Sequence, residues 1–298
     1  MSGEVRAIRL GVLTPVVTLV AGSHAAWEAD GTIADIARVA AAADRLGYDH
    51  LTCSEHVAVP TDAVPVRGGR YWDPLATFGY LAACTERIRL LTDVLVLGYH
   101  HPLEIAKRYG TLDRISDGRL VLGLGVGSLR QEFELLGVPF VDRGERADDH
   151  LRALRAAMSQ REPVYEGRFY RFSGMVVDPC AVQPRVPFWI GGRTARSLRR
   201  AVELGDGWCP FGLTPEGAGE LITRARTTAA WAAREHPLEV VLQNLRPLDP
   251  LGAPDEAAAA GRSLRDAGAT MLSLRLVHHS LGHDLEQLEA MVAVTSSL

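Results

Sequence analysis

Cysteine is scarce in this chain. Its four cysteines, Cys53, Cys84, Cys180 and Cys209, stand far apart with no CxxC pair. That spacing gives no support to a disulfide framework, a zinc knuckle or an iron–sulfur site. Long apolar runs are missing too: no stretch reaches the ~18 uncharged residues of a membrane span. Glu4 and Arg9 interrupt the N-terminal stretch before an apolar core can build up. A soluble, cytoplasmic protein with no membrane partner is the expectation. There is no basic excess: 32 Lys and Arg face 36 Asp and Glu, for a net charge of −4. No nucleic-acid partner is expected from that balance. No GxGxxG opens a helix after the first apolar run, which argues against a doubly wound dinucleotide-binding sheet. The chain is 47% hydrophobic and 23% charged over 298 residues. That is a globular composition with a core large enough to need no metal or disulfide.

Short apolar runs alternate with longer helical ones. Eight strands are predicted, at 8–13, 49–53, 88–96, 120–126, 187–190, 207–210, 239–245 and 270–277, each followed by a helix. Ile33, Ile36, Ala40 and Ala43 recur at helical spacing between a Thr32–Asp35 capping pair and Gly47. Asp73-Pro74, Pro102 and Thr214-Pro215 mark further helix starts. Eight strand–helix units match a closed (β/α)8 TIM barrel, read as one domain over 1–298 with an insertion at about 128–186. A small hairpin is expected near Tyr170 and Phe172, inside that insertion.

In such a barrel the active site lies at the C-terminal strand ends. Glu55 and His56 leave the second strand there, and an imidazole is suited to proton relay or to donating to a ring oxygen. The competing reading is a loop-capping histidine. Thr92 and Asp93 interrupt the apolar third strand, where a buried carboxylate needs partners. Gly191, Gly192, Arg193 and Thr194 join a glycine turn to a helix start, a pattern suited to a phosphate or simply to a tight turn. Gly127 and Ser128 form a second such candidate. His278, His279 and His283 have no carboxylate at a familiar ligand spacing, so no metal is expected. Trp189 reads as packing.

Several segments together resemble the luciferase-like flavin and deazaflavin oxidoreductases, nearest to those dependent on coenzyme F420. They are SEHVAVP at 54–60, the block from 71 to 146 with HPLEIAKRYGTLDRISDGR running into GLGVG, YEGRFYRF at 165–172, and PFWIGGRTARSLRRAVELGDGW beginning near 188. The resemblance implies a non-prolyl cis peptide in the third strand. The family pattern there is Gly-Thr-Ser/Gly-Val, and this chain has Leu91-Thr92-Asp93-Val94, which locates the bond at Asp93–Val94. It also implies that Thr92, Asp93 and Val94 form a bulge behind the cofactor's middle ring, with His56 at the ring. Gly127 and Ser128 would then lie by the ribityl chain or the phosphate, and Gly191, Gly192 and Thr194 would hold the phosphate. The activity implied is F420-dependent hydride transfer to or from a small organic substrate, with His56 or Glu55 carrying the proton and Asp93 as a further candidate. The alternative is an FMN-dependent monooxygenase fed by a partner reductase; a third reading is a cofactor-free interaction subunit. A homodimer is compatible with the resemblance.

Overall fold

A computed structural model describes residues 8–20 and 22–295. The opening stretch with Glu4 lies outside them. The eight barrel strands are β1 (Arg9–Val12), β2 (His50–Cys53), β3 (Arg89–Thr92), β4 (Leu120–Gly125), β5 (Phe188–Gly191), β6 (Gly207–Cys209), β7 (Glu239–Gln243) and β8 (Met271–Leu274). All eight pair in parallel in chain order. Trp189 opposite Gly123 and Leu10 opposite Leu272 are register pairs on the way round; the β4–β5 pairing closes the ring. This is the (β/α)8 barrel expected from the alternation. The third strand differs from its prediction. It breaks after Thr92 and resumes as Leu95–Val96, still paired parallel to β4, because a cis peptide joins Asp93 to Val94.

Eight helices cover the strands: α1 (Ile33–Leu46), α2 (Pro74–Cys84), α3 (Pro102–Ile115), α4 (Arg143–Ala157), α5 (Ala195–Leu204), α6 (Pro215–Arg226), α7 (Pro254–Asp266) and α8 (Leu281–Thr295). Their starts follow local chemistry. The Thr32 hydroxyl accepts from the Asp35 amide while the Asp35 carboxylate accepts from the Thr32 amide. Asp73, His101 and Thr214 each cap a helix that begins with proline. Residues 128–186 contain α4, which packs on α3 as the fourth barrel helix does. They also hold a short helix, Arg130–Leu135, and the hairpin Tyr165–Glu166/Arg171–Phe172. The stretch is therefore the β4–β5 crossover, enlarged.

Side chains fill the barrel. Leu91, Val121, Trp189, Cys209, Val241 and Met271 form one layer, which makes Trp189 a packing residue. Below it His50 is fully buried, with Nε2 at 2.6 Å from Ser273 Oγ and Nδ1 at 2.9 Å from Asp49. No described helix is long and apolar enough to cross a membrane.

One buried group costs stability. Asp284 on α8 packs near Glu28 and His278, and its Oδ2 has no hydrogen-bond partner among the described residues. Burial, and then the Glu28 carboxylate, push its pKa from 3.8 to about 7. A raised acid binds more protons folded than unfolded, so stability falls as pH rises from about 4 to 7. Asp284→Asn is expected to raise the unfolding midpoint at pH 8, by about 2–4 °C for each kcal/mol recovered. At pH 4 the gain should nearly vanish. Thermal unfolding at both pH values checks this; a loss at pH 8 would mean the His278 contact outweighs the burial cost.

Candidate active site

The C-terminal ends of the strands form the barrel mouth. At β2, Ser54 Oγ donates to the Asp93 carbonyl at 2.7 Å, and the Glu55 amide reaches the Val94 carbonyl at 3.4 Å. The bulge is thus tied to β2. Its other side rests on β4 and β5. A Cβ built on Gly125 or Gly191 would stand 2.5 or 2.6 Å from a Val94 methyl. Glycine at both strand ends is what lets Val94 lie across them. Thr92, fully buried, gives its hydroxyl to the Gly123 carbonyl at 2.8 Å. Its side chain therefore belongs to the barrel wall, and only its backbone contributes to the bulge.

Asp93 faces Gln243 of β7, whose Nε2 donates to Oδ2 at 3.0 Å. Burial raises the Asp93 pKa from 3.8 to about 6 against this hydrogen bond. The carboxyl also pushes the neighbouring Cys209 thiol further up, adding to the thiol's own burial.

His56 and Glu55 separate in space and in use. Glu55 is buried with both oxygens engaged: Oε2 accepts from the Val96 amide and Oε1 lies against His100 Nε2, each at 2.7 Å. Through these two contacts it braces the strand beyond the bulge. His56 Nδ1 lies 2.7 Å from Glu132 Oε2, and its ring meets Tyr71 edge-on at 4.5 Å. The Glu132 side chain is fully covered. Burial raises its carboxyl, but His56, the Tyr99 hydroxyl and the Val57 amide more than offset this and hold it below its usual range. An ionised Glu132 only accepts, so the contact places an N–H at Nδ1 and favours the tautomer whose lone pair is at Nε2. Nε2 has no hydrogen-bond partner among the described residues.

Sequence reading missed Glu132. It arrives from 76 positions away, on the short helix after β4. The Glu132-Phe133 pair lies inside the 71–146 block of family likeness, but nothing there links it to His56. Tyr99 and Gln243 went unread for the same reason: their partners are remote in sequence.

The third cluster is the turn after β5. Gly192 has φ +101°, a conformation that glycine favours. Its carbonyl accepts from Ser197 Oγ at 2.8 Å and from the Trp208 indole at 3.1 Å. Thr194 caps α5 through the Ser197 amide. The first-turn amides of a helix have no intrahelical acceptor, so α5 presents N–H groups beside the exposed Arg193. Gly127 and Ser128 lie on the neighbouring strand end. The Gly127 carbonyl accepts from Arg143 at 3.2 Å, and Arg67 reaches Ser128 Oγ at 3.3 Å. That last bond draws the loop after β2 onto the loop after β4. No set of three His, Cys, Asp or Glu among the described residues converges to hold an ion.

Comparison with known proteins agrees with this architecture. The chain is 28% identical over 268 residues to uncharacterized proteins of Mycobacterium bovis and Mycobacterium tuberculosis, covering 85% of this chain and 89% of theirs. Its fold superposes on a crystal structure of monooxygenase RslO1 from Streptomyces bottropensis with TM-score 0.78, at 21% identity over 96% of this chain and 98% of that one. It superposes on an F420-dependent secondary alcohol dehydrogenase in complex with an F420-acetone adduct with TM-score 0.75, at 14% identity over 96% and 99%. For the coenzyme F420 dependent tetrahydromethanopterin reductase from Methanopyrus kandleri the TM-score is 0.68, at 16% identity over 88% and 94%. The model of the luciferase-like monooxygenase family matches residues 8–270. The chain belongs to the luciferase-like monooxygenase family and is an enzyme of the oxidoreductase class.

Proposed function

We propose that this enzyme transfers a hydride between coenzyme F420 and a small organic substrate, an activated C=C or C=N bond or an alcohol. The observation that carries the reading is the Asp93–Val94 bulge. It bridges the end of β2, where His56 stands, and the end of β5, where the Gly191–Thr194 turn begins. A flat ring system with a phosphorylated tail fits such a floor with a helix start at one side. Val94 and the bulge backbone would back the ring, and Gly191, Gly192, Arg193 and Thr194 would hold the phosphate, with Gly127 and Ser128 along the chain between.

When bound, a deazaflavin supplies or takes up a hydride. The residues of this chain do the rest. His56 Nε2 takes the hydroxyl proton as an alcohol loses its carbon-bound hydrogen as hydride, or returns a proton in the reverse direction. Glu132 fixes the tautomer that makes this possible, and Glu55 is a positioning residue. The floor and the apolar barrel exclude water.

The testing experiment is equilibrium titration of the purified protein with oxidised F420 and with FMN under matched conditions. Tight, saturable F420 binding with weak FMN binding is expected. Absence of saturable F420 binding would sink the reading.

A pH dependence follows from Asp93. A ring laid on the bulge desolvates this carboxyl further, so it raises a pKa already at about 6. Binding then takes up a proton, and affinity falls as pH rises above 6 by up to about tenfold per unit. Asp93→Asn is expected to flatten that profile. Titrations at pH 5 and pH 8 measure it; the same slope in the variant would remove Asp93 from the ring floor.

A second reading is an FMN-dependent monooxygenase, favoured by the likeness to RslO1. It needs a partner reductase to supply reduced flavin. Preference for FMN together with oxygen uptake driven by reduced flavin would select it. A homodimer is compatible with either reading, and sedimentation would establish it.

A further inference from the structure

Outside the barrel, a cavity of about 270 Å³ opens between the Leu97–His101 segment, α4 and the hairpin. Its walls include Leu97, Phe133, Val138 and Ala147, and its polar lining is basic or neutral. His150 of α4 is fully buried there, and neither ring nitrogen has a hydrogen-bond partner among the described residues. The ring touches Tyr170 edge-on at 5.0 Å. One turn earlier, Arg146 has a buried Nε that is equally unpartnered, with its guanidinium over Phe169 at 4.4 Å. Arg146 forms no ion pair among the described residues.

Two such groups in one cavity are costly unless something occupies it. A buried polar atom without a partner loses its hydration and gains nothing in return. Burial holds His150 neutral, with a pKa of about 3, so it offers one N–H and one lone pair. Arg146 supplies a positive charge, and Arg143, whose guanidinium donates to the Gly127 and Phe140 carbonyls, adds another to the same lining. The carboxylate of Asp149, the nearest acid on α4, is already taken by Tyr165 and the Phe169 and Tyr170 amides. Glu104 is occupied by Arg108 and His100.

We infer that this cavity binds the anionic head of a small, otherwise apolar molecule, with Arg146 and the His150 N–H at the head and the Phe133 side of the wall around the body. Its volume lies below the range typical of drug-sized sites, which points to a compact molecule. The inference does not depend on which cofactor the barrel mouth takes. Occupancy would be felt there, because Tyr99 lines the same cavity and its hydroxyl holds Glu132 Oε2 at 2.6 Å, the oxygen that faces His56. The anion has two sources of the same chemistry: a free acid, or the acidic end of a bound F420.

The probe is benzoate, titrated calorimetrically into the cofactor-free protein and followed by the histidine ring resonances. Saturable one-to-one binding that shifts the His150 signals is expected. Arg146→Met and His150→Phe should each weaken it at least tenfold. His150→Phe should melt no lower than the parent, because it removes two unpartnered nitrogens while keeping the edge contact; a merely structural histidine would not give loss of binding without loss of stability. Gly192→Trp should leave benzoate binding alone. If F420 displaces benzoate and Arg146→Met weakens both, the cofactor's acidic end is the occupant. If both bind together, a separate acid is. If benzoate moves no His150 signal, or binds both variants as tightly as the parent, the inference is overturned. Benzoate binding without F420 binding would leave this site standing while removing the proposed cofactor.

Discussion

His56→Phe is expected to lower turnover by about 10²- to 10⁴-fold, the usual worth of a positioned general acid or base. Glu132 is buried, ionised and only an acceptor, so it draws the ring proton to Nδ1. That leaves Nε2 as the one basic atom at the end of β2 not already engaged, since both Glu55 oxygens are occupied. Phenylalanine keeps the edge contact that the imidazole makes with Tyr71 at 4.5 Å, and so keeps the packing. Nor does it strand Glu132, which still accepts from the Ala58 amide at 3.2 Å and the Tyr99 hydroxyl at 2.6 Å, besides the Val57 amide. Cofactor affinity should change far less than turnover. Glu132→Gln gives the companion result: an amide no longer dictates the tautomer, so turnover should fall by less and the pH–rate profile should move. Single-turnover rates, with cofactor binding measured separately, check both. Unchanged turnover in His56→Phe would leave His56 as a brace for the following loop.

The barrel was legible because each of its elements is punctuated locally. Thr32 with Asp35, Asp73-Pro74 and Thr214-Pro215 announce helices that begin where their caps place them. Apolar runs with few charges mark strands buried on both faces, and β4 is buried at all six positions. The cis bond was expected from family likeness at Asp93–Val94; no local propensity would have revealed it. What stayed hidden depends on distance along the chain. His56 could be picked out by position, but its partner could not, because the contact is made only after β2 and the β4 loop are brought together. Thr92 and Glu55 show contacts of the same hidden kind. Each stands at the right strand end, yet the neighbouring strand carbonyl and the Val96 amide claim their polar atoms. His150 shows a second kind of concealment. It shares the apolar stripe of α4 with Ala147, Leu151 and Leu154, all buried, and periodicity alone reads that stripe as ordinary core.

Gly192→Trp is expected to weaken cofactor binding at least ~100-fold, a loss of about 2.7 kcal/mol or more. Gly192 sits at φ +101°, and a Cβ there would stand 3.1 Å from the Ser197 Cβ. The turn cannot relax freely, because the Gly192 carbonyl is fixed by Ser197 Oγ at 2.8 Å and the Trp208 indole at 3.1 Å. The strain of a side-chain residue in this region costs about 1–3 kcal/mol. Gly192→Ala carries most of that strain with little bulk and therefore separates the two effects. If alanine melts lower but binds normally while tryptophan abolishes binding, the phosphate lies against the Gly192 turn. If alanine abolishes binding too, the amide orientation at α5 is what matters, as a helix-start anion site requires. Parent-like affinity in Gly192→Trp would move the phosphate to the other glycine turn, at Gly127 and Ser128. There Arg67, 3.3 Å from Ser128 Oγ, is the cation in reach, and Arg67→Met would then have to produce the loss that tryptophan did not.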